Sequence, residues 1–209
     1  MMNFTEARHR MIRRYYSLLE RWLKPLVNRG VSPNAITIFS LCLSLISALF
    51  YAFGAIFMGG VLLLLSGIAD TMDGSIARLT GRSTRFGALL DSTLDRYAEF
   101  FVFFGLLFYY QNSWMLYVVM LALLGSVMVS YVKARAESLG SIRVVGLMQR
   151  PERLILVSAG SLLNTPIGRY FPECPDCIFM GTLIVLAVLT NITVIHRLLE
   201  GEKDLSQTE

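Results

Sequence analysis

Residues 66–100 read SGIADTMDGSIARLTGRSTRFGALLDSTLDRYAEF and set four aspartates, Asp70, Asp73, Asp91 and Asp95, inside or beside strongly apolar runs. Asp70 and Asp73 are three residues apart and Asp91 and Asp95 four apart, so in helices each pair shares one face. The polar break at 79–86 predicts a hairpin of two antiparallel helices. At a rise of about 1.5 Å per residue, Asp73 then faces Asp91 near the mouth and Asp70 faces Asp95 one layer deeper. Four negative charges converging where solvation is poor require neutralisation. Oxygen-only ligation selects hard divalent cations, Mg²⁺ or Mn²⁺, over zinc, and two such ions balance the four charges. A paired-ion site suits in-line displacement at phosphorus.

The residues between the aspartate pairs fit a large polyanionic ligand. Gly74, Ala77 and Gly87 are small where such a ligand must approach the backbone, and Arg78 adds a cation. The whole pattern is Asp70-x-x-Asp73-Gly74-x-x-Ala77-Arg78, eight residues, then Gly87-x-x-x-Asp91-x-x-x-Asp95. It resembles the signature of the CDP-alcohol phosphatidyltransferases at every one of its eight specified positions. The resemblance implies transfer of a phosphatidyl group from CDP-diacylglycerol to an alcohol, with release of CMP. It also implies metal held by Asp70, Asp73 and Asp91, with Asp95 as general base on the acceptor hydroxyl and a share for Asp95 in metal binding. Gly74, Ala77, Arg78 and Gly87 should line the CMP part. Ser32-Pro33-Asn34-Ala35-Ile36-Thr37 is similar to the start of the family's first membrane helix, which places Asn34 and Thr37 near the nucleotide. Family members are commonly homodimers, and the same is expected here.

Beyond that stretch, 55% of the 209 residues are hydrophobic and the apolar residues come in repeated runs. Runs of about 20 residues read as membrane spans, so the expected fold is an all-α integral membrane protein. Six transmembrane helices are expected near 35–57, 60–79, 87–110, 114–133, 152–167 and 177–198. Residues 1–34 carry apolar positions at helical spacing among Arg8, Arg10, Arg13, Arg14, Arg21 and Lys24, which predicts an amphipathic helix lying in the membrane interface. The six-helix catalytic domain then covers 35–199, and 200–209 form a polar tail without regular structure. No cleavable signal peptide is visible, so the first span is expected to stay in the protein. The net charge of +4 sits at the ends of apolar runs and no nucleic-acid motif occurs, which favours anionic membrane lipid over nucleic acid as partner. Three cysteines make no disulfide framework: Cys42 reads as packing, and Cys174 and Cys177 lack further zinc ligands and would pair only if their loop faced an oxidising compartment. Arg96 and Glu99, three apart, are expected to pair.

Lysine and arginine counts set the orientation. Seven precede the first span, three lie at 78–85, five at 133–153 and two after the sixth, against Arg169 alone on the other side. Both termini and the aspartate mouth are therefore expected to face the cytoplasm. In the connection between spans four and five, Lys133, Arg150 and Arg153 sit in segments that resemble Lys-Ala-Arg-Ala-Glu and Arg-Pro-Glu-Arg of the family's phosphatidylinositol-phosphate synthase branch. Arg197 resembles a further cation of the same pocket. That resemblance implies an acceptor phosphate held by Lys133, Arg150, Arg153 and Arg197, whereas Arg135 and Arg143 are equally explained by orientation. Inositol phosphate is the acceptor expected first and glycerol 3-phosphate, as in a phosphatidylglycerophosphate synthase, second. An ion or proton transporter is the rival of another class; it calls for acidic groups spread across the bilayer, and here all four lie in one half.

Overall fold

The structure is a computed structural model that describes residues 23, 25, 27, 29–81, 83–141 and 146–206. Six long helices follow one another among the described residues: α1 (Pro33–Ala52), α2 (Ile56–Leu79), α3 (Arg85–Tyr109), α4 (Met115–Ser138), α5 (Arg150–Gly168) and α6 (Cys177–Ser206). The Ser32 side chain accepts from the Ala35 amide and Pro33 pre-sets the first turn, so α1 starts where a capping residue and an N-terminal proline dictate. It ends sooner than its apolar run does. Gly54 takes φ +76° and its amide reaches back to the Tyr51 carbonyl at 3.0 Å, so the break falls at 53–55. Gly59, which falls in the break expected between 57 and 60, and Gly60 both lie inside α2. A Cβ on Gly59 would stand 2.9 Å from the Tyr51 ring, so the residue serves close approach, not a turn.

α1 is the hub at one side of the bundle, packing on both α2 and α3, while α2 leans on α5, α5 on α6, α6 on α4 and α3 more lightly on α4. Serines join α1 to α2. Ser40 donates to the Ser66 carbonyl at 2.9 Å, Ser44 and Ser66 hydroxyls meet at 2.7 Å, and Ser47 donates to the Gly59 carbonyl at 2.7 Å. In lipid the hydrophobic effect does not drive helices together, so such bonds and close backbone approach set the register. Gly105 rests directly on the Ala48 backbone and Gly160 on Thr182. Tyr51, Leu106, Met115, Phe179, Leu183 and Leu186 fill the centre.

Four of the helices, α1, α2, α4 and α6, are long and apolar enough to cross a membrane. α3 and α5 fall short of that measure because they carry the charge: Asp91, Asp95, Arg96 and Glu99 on α3, and Arg150, Glu152 and Arg153 on α5. Large apolar side chains such as Phe39, Phe53, Phe104, Phe108 and Tyr117 point outward. α4 runs on through Ser138, so the Lys133–Glu137 segment is helical. α6 continues through Ser206, so a helix replaces the irregular tail expected from residue 200. A Lys203–Glu200 pair at 2.9 Å and a bond from Ser141 to Asp204 at 2.7 Å hold that last stretch.

The amphipathic N-terminal helix lies outside the described residues, except that Leu23, Pro25 and Val27 are helical and Leu23 is buried against Ile36, Ala69 and Ile76. At the other end of the bundle from the aspartates, Cys174 and Cys177 form a disulfide. Between them Asp176 accepts from Tyr109 Oη at 2.5 Å and from Asn164 Nδ2 at 3.0 Å, which ties the α5–α6 link to α3.

Candidate active site

α2 and α3 do not pack on one another as a hairpin. Each lies on α1, and the opening left between them is where the carboxylates converge. One oxygen each from Asp70, Asp91 and Asp95 falls within 4.8 Å of the others. Asp73, 5% exposed, turns toward α1 instead and accepts from Thr37 Oγ1 at 2.6 Å. The two flat layers expected from helical rise are thus replaced by a cluster of three carboxylates with Asp73 beside it, because α1 wedges the two helices apart. Three half-buried, all-oxygen donors at this spacing suit a hard divalent cation, and no ion is needed to explain why Asp73 stays in place, since Thr37 holds it.

A cavity of about 230 Å³ opens beside the cluster. Its walls include Asn34 and Thr37 of α1, Asp73, Gly74, Ala77 and Arg78 of α2, and Gly87 and Asp91 of α3, so the residues expected around a nucleotide lie around one space. Thr84 caps α3 by accepting from the Gly87 amide at 2.9 Å. A Cβ on Gly74 would meet nothing nearer than the Arg78 guanidinium at 3.6 Å, so that stretch of backbone faces the cavity uncovered.

The four cations expected around a phosphate do not form one open pocket. Arg150 Nη1 lies 2.5 Å from Asp70 Oδ2 and 2.7 Å from Asp95 Oδ1, bridging α2 and α3 from the first residue of α5. Arg153, one turn later, donates from Nε to Glu99 Oε1 at 2.9 Å and from Nη1 to the Met148 carbonyl at 3.0 Å. Glu99 also pairs with Arg96 at 2.8 Å, as the sequence suggests, so it joins two arginines. Arg197 donates from Nη1 to the Val129 carbonyl at 2.5 Å, and its buried Nε has no hydrogen-bond partner among the described residues. Lys133 stands 3.8 Å from Glu137 with its side chain 45% exposed. Arg143 lies outside the described residues. A small cavity of about 50 Å³ beneath the cluster is bordered by Glu99, Arg150 and Arg153. Sequence spacing pointed neither to Arg150 among the aspartates nor to Glu99 between two arginines. Both contacts join helices more than fifty residues apart, and only the buried charges themselves hint that partners are needed.

A family model described as CDP-alcohol phosphatidyltransferase matches residues 30–193. A relative named phosphatidylinositol phosphate synthase, from Mycobacteroides abscessus, is 37% identical over 178 residues, which is 83% of this chain and 78% of the relative. One named archaetidylinositol phosphate synthase, from Methanothermobacter thermautotrophicus, is 36% identical over 190 residues, 90% and 93% of the two chains. Among solved structures, Mycobacterium tuberculosis phosphatidylinositol phosphate synthase with CDP-DAG bound superposes with a TM-score of 0.76 at 32% identity, covering 88% of this chain and 94% of that one. The same enzyme in complex with manganese and citrate gives a TM-score of 0.77 at 32% identity, covering 88% of each chain.

Proposed function

Because this chain belongs to the CDP-alcohol phosphatidyltransferase family, we propose that it is an integral membrane enzyme that moves a phosphatidyl group from CDP-diacylglycerol to inositol phosphate and releases CMP. One observation carries the reading: the separated halves of the aspartate motif meet at a single cavity together with Asn34 and Thr37. The relatives of similar length named for inositol phosphate lipids support the acceptor, whether their lipid is phosphatidyl or archaetidyl.

Asp70, Asp91 and Asp95 would hold divalent metal, with Asp73 completing the set, and two ions, Mg²⁺ or Mn²⁺, match the four charges. Metal bound there would polarise the donor diphosphate and stabilise the charge that gathers on departing CMP. The protein's own part is positioning and proton transfer. Asn34, Thr37, Gly74, Ala77, Arg78 and Gly87 enclose the CMP portion, with the bare Gly74 backbone allowing close contact. Asp95 takes the proton of the acceptor hydroxyl as that oxygen bonds to the phosphorus bearing diacylglycerol and the bond from that phosphorus to CMP breaks. Of the four acceptor cations, Lys133 and Arg150 present the reachable donors. Arg153 and Arg197 are buried, and charge-assisted bonds from cations of this kind suit a dianionic phosphate.

The decisive assay measures CMP release by the purified protein with CDP-diacylglycerol and, in parallel, inositol phosphate, glycerol 3-phosphate and unphosphorylated inositol. Inositol phosphate should give the fastest release, and a chelator should abolish it until Mg²⁺ or Mn²⁺ is restored. Full activity in chelator would end the metal reading, and preference for plain inositol would end the phosphate pocket.

All six helices are proposed to span the membrane, the less apolar α3 and α5 being shielded inside the bundle, with both termini and the aspartates on the cytoplasmic side. Seventeen basic residues against one support that orientation, and the Cys174–Cys177 disulfide at the opposite end suits an oxidising compartment. Single cysteines placed at Ser83 and at Gln111, in a chain otherwise free of thiols, should react from opposite sides of the membrane. Reaction from one side would refute the arrangement.

A further inference from the structure

Arg150 is held unlike the other cations of the site. A single nitrogen, Nη1, bridges carboxylates from two different helices, Asp70 on α2 and Asp95 on α3, and these are two of the three whose oxygens gather within 4.8 Å. The arginine side chain is 18% exposed and the two carboxylates 20% and 15%, so solvent screens the contact poorly. The helix that carries Arg150 does not depend on this contact for its placement. Arg153 fastens the first turn of α5 to Glu99 and to the Met148 carbonyl. Arg150 itself is the first residue of that helix, preceded by the extended Gln149, and a long flexible side chain at such a position can swing without moving the helix axis.

Resting on the reading of the aspartates as metal ligands, we propose that Arg150 is the built-in counter-ion of the carboxylate cluster. It draws Asp70 and Asp95 together across the opening between α2 and α3, and it competes with a divalent cation for those two oxygens. A guanidinium seated against Asp70 and Asp95 offsets the negative charge that attracts a divalent ion, and a guanidinium beside such an ion is repelled by it. Entry of the ion and departure of Arg150 are therefore one exchange. Arg150 acts as a positioning residue: its presence lowers affinity for metal and keeps like charges from forcing the site apart beforehand.

The test is Mn²⁺ binding to the full chain in detergent, with no lipid or acceptor substrate added, read by electron paramagnetic resonance of the free ion. Arg150→Gln should bind Mn²⁺ about tenfold more tightly than the parent, in keeping with the coupling found for close, poorly solvated charge pairs. Its thermal midpoint without Mn²⁺ should fall, and the rise on adding Mn²⁺ should exceed that of the parent. Arg150→Met removes the charge while keeping much of the stem; its affinity should shift in the same direction, and it serves as the reading if Arg150→Gln does not fold. Unchanged or weaker Mn²⁺ binding in the variant that folds overturns the counter-ion role while leaving the metal reading intact. Absence of Mn²⁺ binding by the parent overturns both.

Discussion

Asp91→Asn is expected to lower CMP release by about a thousandfold or more, the scale at which loss of one electrostatic partner of a transition state acts when metal placement depends on it. Among the described residues, Asp91 is the one carboxylate that both belongs to the three-oxygen cluster and borders the 230 Å³ cavity. Its replacement therefore removes a ligand and a wall of the donor site together. Asp95→Asn should behave differently, losing turnover while keeping most of its affinity for CDP-diacylglycerol, since a proton acceptor matters in the transition state more than in donor binding. Kinetics at saturating donor, beside donor binding measured separately, check the pair. Equal loss of binding in both variants would remove Asp95 from its role as base.

Arg153→Ala has a large expected effect of another kind. Arg153 is 3% exposed and holds Glu99 through two nitrogens, at 2.8 and 2.9 Å. Truncation leaves a carboxylate in a poorly solvated place with Arg96 as its remaining cation, and breaking such a pair costs roughly 3 kcal/mol or more. For a chain of this size the unfolding midpoint should drop by about 10 °C. Adding Glu99→Gln should restore much of it, because the uncompensated charge is gone. A change in the apparent KM for inositol phosphate that persists in this double variant, with that for CDP-diacylglycerol unchanged, then belongs to acceptor binding. An unaltered midpoint in Arg153→Ala would show that Glu99 does not depend on it, and an unaltered KM for every phosphorylated acceptor would remove Arg153 from the pocket.

What the sequence made legible follows from how local each determinant is. The aspartates, the small residues and Arg78 are bound by spacing within 66–100, so a helical reading alone put them on shared faces; the cavity gathers Asp73, Asp91, the small residues and Arg78, while Asp70 and Asp95 meet Asp91 in the cluster beside it. The break after α1 was misplaced because glycine has two uses. Gly54 turns the chain at positive φ, whereas Gly59 and Gly60 admit Tyr51 and Ser161, and only the packed neighbours distinguish the cases. The direct pairing of α2 with α3 was inferred from a short polar link, yet sequence neighbours need not touch when a third helix can lie between them. Contacts of Arg150 and Arg153 escaped for a related reason: charge type says that a partner is needed, and nothing local says which.

The serine contacts between α1 and α2 have a bearing on when the site comes into being. Ser40 and Ser66 are 26 positions apart, Ser44 and Ser66 22, Ser47 and Gly59 12, and Thr37 and Asp73 36, all within 33–79. Asn34, Thr37, Asp73, Gly74, Ala77 and Arg78, the α1 and α2 side of the donor cavity, thus lie on two helices joined by hydrogen bonds whose partners are all in place once Leu79 has been made. With a link of only 53–55 between them, the two helices can enter the bilayer as one unit while translation continues. The later segments then close against a wall that is already standing.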